Sequence, residues 1–187
     1  MPMDLTHRHS IFASLPRGGI GAEIGVAHGL FSVDILRLSE PSLLYLIDCW
    51  EQLPVEVTGH DPANSGDEVK EGWYRATFQR FIDDSRVRVI KAFSQKAATL
   101  FPDAYFDWLY LDANHLEAYQ DAWAWWPKVK PGGWMMGHDY VDVGDCFTVK
   151  TDVDRFAAEI SQPVLVTVDA DTAYKNWLIQ KPIAAES

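Results

Sequence analysis

The sequence predicts an α/β fold: a doubly wound parallel sheet with helices on both faces and an antiparallel edge. Three observations carry that. Short apolar runs alternate with segments of helical period from Ile20 to about residue 138, and strand–helix alternation of this kind gives a parallel sheet. The run FDWLYLD (106–112) is apolar almost throughout, as suits a strand covered on both faces. Two strand-like runs close the chain near enough in sequence to pair as a hairpin, which adds the antiparallel edge common on such sheets.

The elements follow in order. The stretch GAEIG ends an apolar run that starts at Ile20 and forms the first strand. In GLFSVDILRL, Leu30, Val33, Ile35 and Leu36 are spaced for a helix face. LLYLID (43–48) is the second strand. Residues 51–67, EQLPVEVTGHDPANSGD, carry two prolines, two glycines and no clear period. A long irregular connection leaving a strand's carboxyl end, where ligands bind in open α/β sheets, reads as a lid; a plain insertion is the alternative. Residues 67–83 look helical. VRVIKA (87–92) is the third strand, and SQKAATLF (94–101) a short helix stopped by Pro102. After the fourth strand, 106–112, Leu116, Tyr119, Trp123 and Trp126 fall on one helical stripe, which predicts core packing in preference to an aromatic ligand box. KPGG (130–133) predicts a turn and WMMGH (134–138) the fifth strand. TDVDRFAAEI (151–160) is a helix capped by Thr151 or Asp152. PVLVTVD and NWLIQK are the closing strands.

With 187 residues the chain suits one domain, 1–187, with 51–67 as its lid. The formal net charge of −11 argues against a surface built for phosphate backbones or anionic membranes. Cys49 and Cys146 have no zinc-ligand spacing and read as free thiols in a reducing compartment. The N-terminus lacks the apolar core of a signal peptide, and no run approaches a membrane span. The expectation is a cytoplasmic protein acting on a small molecule, with a homo-oligomer left open.

The bend GAEIGVAHGLFS (21–32) carries the cofactor argument. Strand, glycine-rich turn and helix together build a nucleotide site, since the turn admits close approach and the helix start offers free N–H groups. A dinucleotide fold wants G-x-G-x-x-G. This chain has Glu23-x-Gly25-x-x-x-Gly29, which lacks that spacing, and an acid at the strand's end repels a diphosphate. Asp48 ends the second strand about 20 residues on, where an acid accepts from both hydroxyls of a ribose. A nucleoside with a cationic, amino-acid-like tail and no phosphate fits these residues, which describes S-adenosylmethionine.

On the stretches GAEIGVAHGLFS, LYLIDCW, VIKAFSQKAA and FDWLYLDANHLEAYQDAWAWWPKVKPGGWMMGHDY, in order from about Ile20 to Tyr140, the chain resembles the class I S-adenosylmethionine-dependent methyltransferases. It is similar in particular to the small-molecule O-methyltransferase-like group with the macrolide-sugar and cephalosporin-pathway enzymes, and more distantly to catechol O-methyltransferase. The resemblance implies a Rossmann-like seven-strand sheet in the order 3-2-1-4-5-7-6 with an antiparallel terminal strand. It implies that Glu23, Gly25 and Gly29 line the methionine tail, Asp48 the ribose, and Phe93 with Ser94 the adenine, with Asp112 also against the cofactor. Ser94 has a second role open to it, as N-cap of its helix.

Two further clusters fall at strand carboxyl ends: Asp112 with His115, and His138, Asp139 and Tyr140. Neighbouring parallel strands place them on one rim. Methyl transfer needs an aligned acceptor and a base for its proton, and His138 and His115 are the candidates. Acids there could instead hold a divalent cation that lowers the acceptor's pKa. The resemblance to catechol-type enzymes implies magnesium at Asp112 and the two positions now held by His138 and Asp139. Histidine departs from that pattern, because magnesium prefers oxygen; Asp112 and Asp139 remain candidates for magnesium or a softer ion. His60 and Asp61 would close over a substrate if 51–67 is a lid. The expected function is O-methylation of a small molecule. A nicotinamide-dependent oxidoreductase and a non-catalytic methyltransferase-like binding subunit are the alternatives.

Overall fold

The computed structural model describes residues 2–168 and 173–183. In chain order its elements are α1 (Arg8–Ser14), β1 (Ile20–Ile24), α2 (Leu30–Ser39), β2 (Leu43–Asp48), α3 (Val55–Thr58), α4 (Asp67–Phe81), β3 (Val87–Lys91), α5 (Ser94–Ala98) and β4 (Phe106–Leu111). Then come α6 (Ala118–Trp125), β5 (Val129–Gly137), β6 (Asp142–Val143), β7 (Phe147–Thr148), α7 (Val149–Glu159), β8 (Leu165–Val166) and β9 (Trp177–Gln180). Seven strands form one sheet in the order β3-β2-β1-β4-β5-β9-β8, with β1 to β5 parallel, β9 antiparallel to β5, and β8 antiparallel to β9. This is the expected order, with β9 and β8 in the places of the seventh and sixth strands.

The sheet is wound on both faces because its central strands alternate which core they feed. In β4, Phe106, Leu109 and Leu111 join one cluster with Ala97 of α5, Trp125 of α6 and Phe156 of α7. Trp108 and Tyr110 point the other way and pack with Phe12 of α1, Ile35 of α2 and Phe81 of α4. Gly21 faces Trp108 from β1, and a Cβ there would lie 2.1 Å from the indole ring.

Several expectations shift. The turn at 130–133 lies inside β5. The register against β4 slips between Phe106 and Trp108, and Gly132 takes a positive φ of 81°, so the glycines serve a bulge and not a reversal. In α2 the buried residues are Ser32, Ile35, Leu36 and Ser39, while Leu30 is 62% exposed. The stripe was therefore out of phase by part of a turn. In α6 the buried face is Asp121, Ala122 and Trp125; Trp123 is 41% exposed and meets Phe156 edge-on. Helix α7 starts two residues early, with Thr148 at its N-cap position. The sixth strand shortens to Leu165–Val166, and Asp169, at the end of its expected run, lies outside the described residues. Helix α1 and the β6–β7 hairpin add to what the periodicity predicted. Among the described residues no helix is long and apolar enough to cross a membrane.

Candidate active site

The carboxyl ends of β1, β2, β4 and β5 share one rim, and the site is built there. The bend after β1 is fixed by close backbone packing. Gly25 has φ 89°, and its N–H donates to the Ile47 carbonyl at 2.8 Å. A Cβ on Gly25 would sit 1.8 Å from the carbonyl oxygen of Asp112. The bend is thus pressed against the end of β4, whose Asp112 N–H donates back to the Ile24 carbonyl at 2.7 Å. Gly29, with φ 67°, opens α2 beneath Thr77 and Phe81 of α4. Both glycines make room for protein.

Asp48 ties that bend down. Its Oδ2 accepts from the Val26 and Ala27 N–H groups, each at 2.9 Å, and its Oδ1 from Trp50 N–H at 2.8 Å. Trp50 is buried and donates its indole N–H to the Ala27 carbonyl at 2.8 Å. Glu23 lies under the same bend, 2% exposed, and accepts a hydrogen bond from the Ser32 hydroxyl. Burial, outweighing that bond, pushes its carboxyl up to about 8, with the nearby Asp112 charge adding to the rise. Phe93 precedes α5 and is largely exposed. The Ser94 hydroxyl accepts from the Trp125 indole N–H at 3.0 Å and does not cap its helix, since Phe93 holds the N-cap position.

The second half of the rim is a histidine among acids. His115 Nδ1 lies 2.6 Å from Asp61 Oδ2; its Nε2 is 3.0 Å from Asp139 Oδ2 and 3.8 Å from Asp112 Oδ1. Its ring stacks on Phe147 at 4.1 Å. Burial opposes charge on this imidazole, but the contacts with Asp112, Asp139 and Asp61 outweigh it and push its pKa up to about 11. Asp139 is held well below the usual carboxylate range: burial works against ionisation, and the contacts with His115 and His138 prevail. His138 Nδ1 sits 2.7 Å from Asp139 Oδ1. Asp112, His138 and Asp139 each present a ligand atom, all within 4.8 Å of one another.

The segment 51–67 lies across this rim. Besides Asp61 on His115, its Val57 carbonyl accepts from Asn114 Nδ2 at 3.2 Å, and His60 Nδ1 meets Asp145 Oδ2 of the β6–β7 hairpin at 2.6 Å. Its own fold is held by Asn64, which bonds the Leu53 N–H and carbonyl. The structure thus gathers Glu23, Gly25, Gly29, Asp48 and Asp112 around the bend, and Asp112, His115, His138 and Asp139 beside it. Sequence reasoning missed Ser32, whose signal was a polar residue on the buried side of α2. It also missed Trp50 and Asp121. Asp121 is a buried acid on α6 whose carboxyl burial pushes up to about 7.

A family model described as a methyltransferase domain matches residues 22–140. No curated protein matches the chain. Among solved structures, a Corynebacterium glutamicum protein superposes with a TM-score of 0.65 at 16% identity, covering 96% of this chain and 80% of that one. The spermidine synthase of Thermotoga maritima gives 0.62 at 18% over 95% of this chain; the chain spans 58% of that enzyme. The O-methyltransferase of Bacillus cereus, solved in complex with SAH, gives 0.60 at 15%, over 88% and 75%. At such identities these neighbours establish the fold. With the family model spanning more than half of its residues, from β1 to the end of β5, the chain belongs to the methyltransferase-domain family, on the class I S-adenosylmethionine-dependent methyltransferase fold.

Proposed function

We propose that the chain transfers a methyl group from S-adenosylmethionine to an oxygen of a small-molecule acceptor. The observation that carries the cofactor is the Asp48 carboxylate, which fills the Val26 and Ala27 N–H groups after Gly25. Those are the amides with which a dinucleotide fold seats a pyrophosphate. A diphosphate would meet donors already taken and a carboxylate in their place, which argues against the nicotinamide oxidoreductase. A nucleoside with a cationic tail meets acids instead. On this reading Glu23 holds the tail's ammonium, the bend from Gly25 to Gly29 carries the tail, and Asp48 receives the ribose hydroxyls on its free lone pairs. Phe93 and Ser94 flank the adenine, and Asp112 borders the reacting end. The Bacillus cereus O-methyltransferase complex supports the same cofactor and an oxygen acceptor.

Bound there, the cofactor supplies a methyl on a sulfonium, displaced in line by the acceptor oxygen. His138 takes the acceptor's proton at Nε2, because its Nδ1 is turned to Asp139. His115 is unsuited to that role: both ring nitrogens face carboxylates and its ring lies under Phe147. The concentration of acids and histidines on this rim counts against a non-catalytic binding subunit.

A second reading of the mechanism rests on Asp112, His138 and Asp139. Two carboxylates and an imidazole at this spacing fit one divalent ion, and the imidazole favours manganese, iron or zinc over magnesium. Such an ion would lower the acceptor's pKa, and His138 would then be a ligand and not the base. Calorimetric titration of the purified protein with S-adenosylhomocysteine and with NADH tests the cofactor: binding of the first alone is expected, and binding of NADH alone overturns the reading. Repeating the titration with an acceptor analogue, with and without a chelator, separates His138 as base from His138 as ligand.

A further inference from the structure

Arg8, the first residue of α1, lies ahead of the matched region 22–140 yet reaches the bend. Its guanidinium carbon stands 3.7 Å over the ring of Phe31, two residues after Gly29. Phe31 in turn packs against Tyr110 of β4, and Phe12 of α1 packs against both rings. The helix is therefore docked by aromatic contacts that aim its one arginine at the end of β1. The guanidinium lies beside the Tyr110 hydroxyl and within electrostatic reach of the buried Glu23. Among the described residues, no carboxylate comes within ion-pair distance of Arg8, although most other arginines have one.

Resting on the cofactor reading above, we propose that Arg8 is the carboxylate-binding residue of the site, receiving the carboxylate of the cofactor's amino-acid tail beside the Glu23 that takes its ammonium. A plain anchoring role for Arg8 uses the face of the guanidinium, over Phe31, and the edge that meets the Tyr110 hydroxyl. Neither contact supplies a carboxylate, and the planar fork of a guanidinium matches one. The charges also complement each other. An α-amino acid carries its ammonium and carboxylate on one carbon, so its receptor needs an acid and a base side by side. Glu23 and Arg8 are that pair, and neither has an oppositely charged partner within bonding distance.

The test compares two adenosyl ligands on two variants. S-Adenosylhomocysteine carries the carboxylate; its decarboxylated analogue keeps the thioether, the amine and the nucleoside. Wild type is expected to prefer the first. Arg8→Met keeps the side-chain stem over Phe31 and removes the fork. It should lower affinity for S-adenosylhomocysteine by about 10- to 100-fold, the scale for losing a charge-assisted hydrogen bond, and leave the analogue's affinity unchanged. Arg8→Lys should fall between. A melting curve for each variant reports any loss of α1 docking, which would weaken both ligands alike. Equal weakening of both ligands, or no change for either, refutes the role of Arg8. If wild type binds neither adenosyl ligand, the cofactor reading itself falls, and Arg8 with it.

Discussion

The two halves of the carboxyl rim are built from similar residues by different means. At the bend, the acids Asp48 and Glu23 are held by a backbone and a hydroxyl: three N–H groups satisfy Asp48, and Ser32 satisfies Glu23. Beside it, Asp61, Asp112 and Asp139 converge on the His115 imidazole from the segment 51–67, β4 and β5, with His138 also on Asp139. The first half depends on chain geometry and the second on charge balance. Backbone donors are fixed by the fold and do not titrate. A charge cluster stands or falls with the cation at its centre, because a buried charge left without a partner is costly.

Substitutions that act on geometry alone should therefore damage the bend most. Gly25→Ala places a methyl 1.8 Å from a main-chain carbonyl that no rotamer change can move, at a φ that L residues avoid. We expect a loss on the order of 5 kcal/mol in urea unfolding, with cofactor binding abolished. Gly29→Ala meets mainly the Thr77 and Phe81 side chains at 3.0 Å and beyond, so it should cost roughly 1–2 kcal/mol. Equal losses at the two glycines would deny that β4 is what the bend packs against.

The charge cluster should answer to His115. Replacing it with alanine leaves three acids facing one another in a mostly buried place. A loss of about 3 kcal/mol is expected in the same unfolding assay, the scale for orphaning a buried charge. If His115→Ala unfolds within 1 kcal/mol of wild type, the imidazole is not what holds the segment 51–67 to the rim. Asp48→Ala belongs to the other half and should cost less, about 1–3 kcal/mol, because backbone amides regain water when the bend loosens. The same change should weaken S-adenosylhomocysteine, and unaltered affinity by calorimetry would remove Asp48 from the ribose.

This division also explains what could be read in the sequence. The bend was legible because Glu23, Gly25, Gly29 and Asp48 keep a fixed spacing along two adjacent strands. The strand order was legible through family resemblance and the alternation of apolar runs. His115, Asp139 and Asp112 were named as neighbours because parallel strands share a rim. The pairing of Asp61 with His115 was not legible: it joins residues 54 apart through a segment without period. The phase of α2 and α6 misled for a simpler reason. Leu30 and Trp123 are apolar yet face outward, while Ser32 and Asp121 face inward, bearing on Glu23 and Ser94. Burial of a polar residue for a partner overrides a hydrophobic stripe.

Glu23 sharpens the comparison through pH. Its carboxyl is pushed up from 4.5 to about 8 by burial, so the folded protein binds that proton more tightly than the unfolded chain. Its contribution to stability is full below about 4.5 and is lost as the pH rises through about 8. Without cofactor, the melting temperature of wild type should fall relative to Glu23→Gln across that window. With the cofactor's ammonium in place the carboxylate becomes the favoured form. Binding of S-adenosylhomocysteine at pH 7 should then release protons, seen as a heat that changes with the buffer's ionisation enthalpy, and Glu23→Gln should abolish that dependence. A buffer-independent heat in wild type would mean that Glu23 does not receive the ammonium.

The smallest effect is expected one residue away from one of the strongest. His60 and Asp61 are neighbours in the segment 51–67, and each makes a 2.6 Å histidine–aspartate contact. The Asp61–His115 pair is 7% and 10% exposed, whereas the His60–Asp145 pair is 79% and 65% exposed. Water screens the outer pair and solvates either partner alone, so equal distances do not mean equal energies. His60→Ala should leave the melting temperature unchanged within error, while Asp61→Ala lowers it by several degrees. If instead His60→Ala loosens the segment 51–67, read as faster amide exchange at Val57 and Thr58, then the hairpin tip at Asp145 and not the buried imidazole sets how it rests on the rim.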